Sequence, residues 1–142
     1  MSFNVLVVDD SAVMRSMIIR ILKLSGLSFS EIYEAPNGRD GLEILDQNWV
    51  DLALVAINMP VMNGEEMIDR IRENRDTSDL PIIVVSTESN VDRVETIRQK
   101  NVEFVHKPFT PEGLRKAIVQ LTGVSNEPLC GENPLSEGGP DF

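Results

Sequence analysis

The sequence predicts an α/β fold in which five strand–helix units build one parallel sheet with helices on both faces. Three observations carry this. Short β-branched runs alternate with segments of helical period along the 142 residues. The runs are apolar nearly throughout, as strands covered on both faces should be. Gly, Pro and Asn fall between the segments, where turns and caps need them.

Asn4-Val5-Leu6-Val7-Val8 reads as the first buried strand. Val13, Met14, Met17, Ile18, Ile21 and Leu22 recur at helical spacing between Ser11 and Leu24, and Gly26 stands where a helix C-cap belongs. Glu31 to Ala35 is a second, weaker strand. Asn37 suits the cap of a helix running to about Gln47, with Leu42 and Leu45 inward. Leu52-Ala53-Leu54-Val55-Ala56 is the third strand. Pro60 and Asn63-Gly64 make Met59 to Gly64 a loop, and Glu65 to Asn74 is helical with Met67, Ile68 and Ile71 on one face. Met14, Met17 and Met67 thus sit at core spacing and call for no cofactor. Ile82-Ile83-Val84-Val85 is the fourth strand. Ser89 with Asp92 resembles a capping pair for a helix reaching Lys100, with Asn101 at its C-cap. Glu103-Phe104-Val105-His106 is the last strand. Thr110-Pro111-Glu112 opens the final helix with an N-cap, a proline at the first helical position and an acid in the first turn, and Gly123 stops it.

Strands joined by helices demand right-handed crossovers, and five such units fit a flavodoxin-like, doubly wound sheet of strand order 2-1-3-4-5. Residues 1–123 are read as one domain. Residues 124–142 contain six Pro or Gly, no hydrophobic period and no Lys or Arg, and are read as an acidic Pro/Gly-rich tail.

Composition narrows the function. The net charge of −10 argues against general nucleic-acid binding, which needs a positive footprint. No apolar run is long enough to span a bilayer, and the N-terminus lacks the layout of a signal peptide, so the expected location is cytoplasmic with no membrane contact. Cys130 has no second cysteine to pair with and is read as a free thiol in the tail; a lone histidine, His106, rules out a His/Cys metal cluster.

In an open parallel α/β sheet, functional groups gather at the carboxyl ends of the strands. Here Asp9 and Asp10 end the first strand, Ala56 ends the third and is followed by Asn58, Ser86 ends the fourth, and Lys107-Pro108 ends the fifth. Two carboxylates with a nearby backbone carbonyl form a hard oxygen site of the kind Mg²⁺ takes. A divalent ion, a hydroxyl and an ammonium can orient and neutralise a phosphoryl group. The nucleophilic carboxylate is missing, because the methyl of Ala56 can neither attack phosphorus nor bind metal. Taken singly, each residue has a bland reading: Asp9-Asp10 as helix-dipole partners, Ser86 as a strand-end hydroxyl, Lys107 as a solvated surface lysine, Phe104 as a core aromatic.

Together, Val7-Val8-Asp9-Asp10-Ser11, Ala56-Ile57-Asn58-Met59-Pro60-Val61-Met62-Asn63-Gly64, Val85-Ser86-Thr87-Glu88 and Val105-His106-Lys107-Pro108-Phe109 resemble the receiver domains of bacterial response regulators, over roughly residues 3–122. The resemblance implies a signalling module rather than an enzyme. It implies that Asp10 binds Mg²⁺ directly, Asp9 through a water, and Asn58 through its carbonyl. Ser86 and Lys107 would contact the phosphoryl oxygens, with a cis Lys107-Pro108 bond. Phe104 would be the aromatic that switches with activation. The implied partners are a histidine kinase and a downstream target, met on the face of the last two helices and last strand; the same face leaves a homodimer open.

Two residues depart from the family pattern. Asn63 stands where the loop often has Asp, and Ala56 stands where the family has its phosphoacceptor Asp. The chain is therefore expected to be phosphorylation-dead at the usual site, with weak Mg²⁺ binding, and the otherwise intact pocket favours engineering or recent loss. Two other functions compete. A Mg²⁺-dependent phosphohydrolase of the haloacid dehalogenase type needs an acid two residues after its nucleophile, where this chain has Ser11 or Ala12. A flavin carrier needs a Ser/Thr/Gly phosphate loop after the first strand, where this chain has two acids.

Overall fold

The computed structural model describes residues 3–123, which form five parallel strands and five helices in strict alternation. Strands β1 (Phe3–Val8), β2 (Phe29–Ala35), β3 (Leu52–Val55), β4 (Ile82–Ser86) and β5 (Glu103–His106) lie in the order β2-β1-β3-β4-β5, the doubly wound order expected. Helices α1 (Ala12–Leu24), α2 (Gly38–Gln47), α3 (Gly64–Glu73), α4 (Val91–Arg98) and α5 (Pro111–Thr122) make the crossovers. The tail reading for 124–142, with Cys130, lies outside the described residues.

Successive strand residues face opposite sides of the sheet, so one apolar run feeds two cores. Leu6, Val8, Ala53, Val55, Ile82, Val84 and Phe104 pack with Met67, Ile68, Ile71 and Ile97 of α3 and α4. Val5, Val7, Leu52, Leu54, Ile83 and Val85 pack on the other side with Ile18, Leu22, Leu114, Ala117 and Ile118 of α1 and α5. Full burial of each such side chain contributes about 1.5–3 kcal/mol, which is why Val5–Val8 of β1, Leu52–Val55 of β3 and Ile82–Val85 of β4 are apolar without interruption.

The N-caps follow the local sequence with one exception. Ser11, Asn37, Asn63 and Thr110 accept the backbone N–H three residues on, at the starts of α1, α2, α3 and α5. For α4 the cap is Asn90, whose side chain accepts from the Arg93 N–H, and not Ser89 with Asp92. Ser89 sits in the loop, where the Glu88 carboxylate already receives the Asn90 N–H. The same helix ends at Arg98 with Gln99 as C-cap, and Asn101 lies beyond it in the left-handed region at φ 65°. At the end of α1 the cap is Ser25, and Gly26 follows at φ 89°, where a side chain would be strained. Strand β2 begins at Phe29, two residues before its predicted start, because Phe29 pairs with Phe3 across the β1–β2 edge.

One burial expectation fails. Met14 is half-buried and Met67 fully buried, but Met17 is 50% exposed and Val13 more so. The apolar arc of α1 is wider than the face the sheet can cover, and its surplus opens toward the β5–α5 connection.

Candidate functional site

The carboxyl ends of β1, β3, β4 and β5 meet at one edge of the sheet, and β1 supplies the deepest charge there. Asp9 is only 4% exposed. One carboxylate oxygen accepts the Ser11 N–H at 3.0 Å, and the other lies 3.6 Å from the Lys107 ammonium. Its backbone is fixed as well: the N–H donates to the Ala35 carbonyl, and the carbonyl accepts from Arg15 Nη1 at 2.6 Å. Arg15 also reaches Glu34 at 3.0 Å, so α1 clamps the ends of β1 and β2 together. Asp10, next in sequence, is exposed.

Ala56 continues β3 by donating its N–H to the Val8 carbonyl at 2.9 Å, which holds it level with the end of β1. It is 8% exposed. The loop after it folds back tightly. The Gly64 N–H donates to the Ile57 carbonyl at 2.8 Å, and a Cβ on Gly64 would overlap the Ala56 carbonyl oxygen, so only glycine fits there. Within the loop, Val61 is at φ 66°. Asn58, two residues past Ala56, is exposed.

Ser86 ends β4 and is 7% exposed. Its hydroxyl accepts the Glu88 N–H at 3.0 Å, and its carbonyl accepts the Lys107 N–H at 2.9 Å, which joins the ends of β4 and β5. The Lys107-Pro108 peptide is cis. Phe104 is buried, with the His106 ring edge-on at 5.0 Å between centroids. His106 Nε2 donates to the Glu88 carbonyl at 2.8 Å and so ties β5 to the β4–α4 connection. The Arg93 guanidinium pairs with Glu65 at 2.6 Å, linking the first turns of α4 and α3.

The structure thus brings Asp9, Ser86, Lys107 and the end of β3 to one edge, with Asp9 and Lys107 in direct ionic contact. Asp10 and Asn58 lie exposed at its rim, and Phe104 lies in the core beneath. Arg15, His106 and Arg93 were absent from the sequence reading of the site. Their roles depend on partners 19, 18 and 28 residues away, which no local pattern reports. Beside Lys107, a recess of about 290 Å³ runs between Met14, Met17 and Ile21 of α1 and Pro108 and Phe109.

The donor set decides what the pocket can hold. Among the described residues, no three acidic, histidine or cysteine side chains converge as a metal ligand group. Of the two acids on β1, Asp9 already has both oxygens engaged, one by an ammonium. Mg²⁺ prefers octahedral oxygen coordination with anionic ligands, and this set does not fit a tightly held ion. Nor can Ala56 accept a phosphoryl group.

Residues 5–119 match the response regulator receiver domain family. A chemotaxis protein CheY homolog of Campylobacter jejuni is 35% identical over 127 residues, covering 87% of this chain and 95% of the relative. The chemotaxis protein CheY1 of Helicobacter pylori is likewise 35% identical over 127 residues, covering 87% of this chain and 99% of that protein. Among solved structures, chemotaxis protein CheY4 of Vibrio cholerae superposes with a TM-score of 0.75 at 29% identity, covering 85% of this chain and 99% of the other. The family match over residues 5–119, together with relatives matched over nearly their whole length, shows that the chain belongs to the CheY-like response regulator receiver family, a family of signalling modules.

Proposed function

We propose that this chain is a two-component receiver of the chemotaxis type that signals by docking and is silent to phosphorylation at the usual position. The observation that carries the reading is Ala56. It stands at the end of β3, level with Asp9 and its ion pair to Lys107, and offers a methyl group where a reactive oxygen is needed. Asp9 and Asp10 remain as the acids of the pocket, with the Asn58 carbonyl as third donor, and Mg²⁺ binds them weakly. Ser86 and Lys107 are the groups that would hold a phosphoryl oxygen. Phe104, under the β4–β5 edge, is the aromatic through which the pocket and the partner face communicate.

The partners are a histidine kinase and a downstream target, met in the cytoplasm without nucleic acid or membrane. The target face is formed by α4, β5 and α5, and the same face serves if the chain pairs with itself. The chain acts as a binding module and not as an enzyme acting on a separate substrate. Nothing favours the phosphohydrolase reading, since Ser11 occupies the place of its second acid and caps α1 instead.

The test is chemical gain of function. Ala56→Asp should incorporate phosphate from acetyl phosphate in the presence of Mg²⁺, read as a mass increase by intact-protein mass spectrometry. The parent chain should incorporate none. A revertant that takes up no phosphate refutes the pocket assignment. Pull-downs with both chains, with and without the phosphodonor, identify the partner and its dependence on phosphate together.

A further inference from the structure

We propose that Lys107 serves as the resident cation of this pocket, an internal ammonium that neutralises Asp9 and holds the site in one state that Mg²⁺ does not set. The inference rests on the receiver reading above and deepens it by naming how the site is regulated. Asp9, with both oxygens engaged, is poorly placed to ligate a divalent ion.

Asp9 is almost completely buried, so its carboxylate needs compensation. One oxygen is satisfied by the Ser11 N–H at 3.0 Å, and the other faces only the Lys107 ammonium, at 3.6 Å, among the ion pairs of the described residues. With a methyl at position 56, β3 offers the ammonium no carboxylate of its own. Lys107 therefore does not divide its charge between two acids, and its attraction is directed at Asp9.

The lysine is also held from behind. Its N–H donates to the Ser86 carbonyl at 2.9 Å, which fixes where the stem leaves the sheet edge. Its side chain is 19% exposed, and Met14, Met17, Ile21 and Phe109 line the recess at its flank. This partly desolvated setting strengthens the pair relative to a surface salt bridge. A divalent ion entering beside Asp9 must displace or repel this ammonium, and afterwards Asp10 alone adds negative charge. The Asp9 charge is thus matched by Lys107 without metal and only Asp10 remains uncompensated, whereas a third carboxylate would leave the pocket one charge more negative and draw the ion in more strongly.

The experiment titrates MgCl₂ into the parent chain, Lys107→Gln and Lys107→Arg, followed by ¹H–¹⁵N amide shifts of Asp9, Asp10 and Ser11. Removing the internal cation should tighten Mg²⁺ binding about tenfold, while Lys107→Arg, which keeps the charge, should bind as weakly as the parent. Chemical-shift dispersion in the same spectra establishes that each variant is folded. A Lys107→Gln curve that overlays the parent's, or a parent chain saturated by Mg²⁺ well below millimolar, overturns the proposal. The two readings fail separately, because an Ala56→Asp chain that takes up no phosphate removes the receiver reading whatever the titrations show.

Discussion

At the scale of single residues, Val61 is the position most at odds with its backbone. It sits at φ 66° and is 73% exposed in the β3–α3 loop, where the Met62 N–H turns back onto the Pro60 carbonyl at 2.6 Å. A β-branched side chain in the left-handed region costs roughly 1–2 kcal/mol, and Asn tolerates that region far better. Because the side chain is exposed, little packing offsets the cost. Val61→Asn should therefore stabilise the chain by about 0.5–1 kcal/mol, read as a higher urea midpoint at unchanged m-value. A lower midpoint would show that the valine makes contacts worth more than the strain. Residues of this kind were only half legible in the sequence. Asn63-Gly64 announced a turn, but that Gly64 must be glycine comes from the approach of the Ala56 carbonyl, which only the folded loop creates. In the same way Asp9, Ser86 and Lys107 were legible as strand-end polar groups, whereas their pairing was not: the Asp9–Lys107 contact closes across nearly the whole domain.

At the scale of elements, the buried strands declared themselves because their apolar runs have no other use in water, and the amphipathic α3 did so by its period. The elements that misled are the exposed ones. Helix α4 has a single fully buried residue, Ile97, so its boundaries rest on caps alone, and Asn90 outcompeted the predicted Ser89. Met17 and Val13 looked like core because periodicity reports a face and says nothing of how wide a surface the neighbour covers. What fastens α3 to the rest was invisible in sequence. Arg72, near the end of α3, donates to the carbonyls of Ser78 (3.1 Å), Leu80 (2.7 Å), Lys100 (3.1 Å) and Asn101 (2.8 Å). One guanidinium thus staples the α3–β4 and α4–β5 connections together. Burial pushes its pKa down, opposed by the nearby Asp79 carboxylate, and the group stays charged at neutral pH. Arg72→Leu removes the fork and leaves four carbonyls to find other donors, at a cost of about 2–4 kcal/mol. Native-state hydrogen exchange should then quicken in residues 76–82 and 99–103 ahead of β1 and β3. Uniform loss of protection across the whole sheet would contradict a local staple.

At the scale of the whole molecule, the sheet separates stability from signalling competence. Both cores lie below the pocket, so the residue at position 56 leaves the fold unchanged but alters the electrostatics at its edge. The chain already carries a net charge of −10, and Ala56 sits 8% exposed beside Asp9, which is 4% exposed. A second buried carboxylate there would be desolvated and repelled by the first, with Lys107 shared between them. Ala56→Asp should therefore destabilise the metal-free chain by about 2 kcal/mol, which lowers the Tm by roughly 5–10 °C in EDTA for a domain of this size. Mg²⁺ binds only the folded revertant, so ~10 mM of the ion should return much of that loss through mass action. The parent, whose Asp9 is already paired with Lys107, should melt at nearly the same temperature with and without Mg²⁺. Circular dichroism melts of both chains in the two buffers measure all four values. Equal Tm values in EDTA would mean that the end of β3 is hydrated or that Lys107 compensates both acids. In that case the methyl at position 56 silences the chemistry without relieving any electrostatic strain. A fall in Tm that Mg²⁺ repairs would show that a receiver at this position exchanges fold stability for the ability to bind metal and accept phosphate.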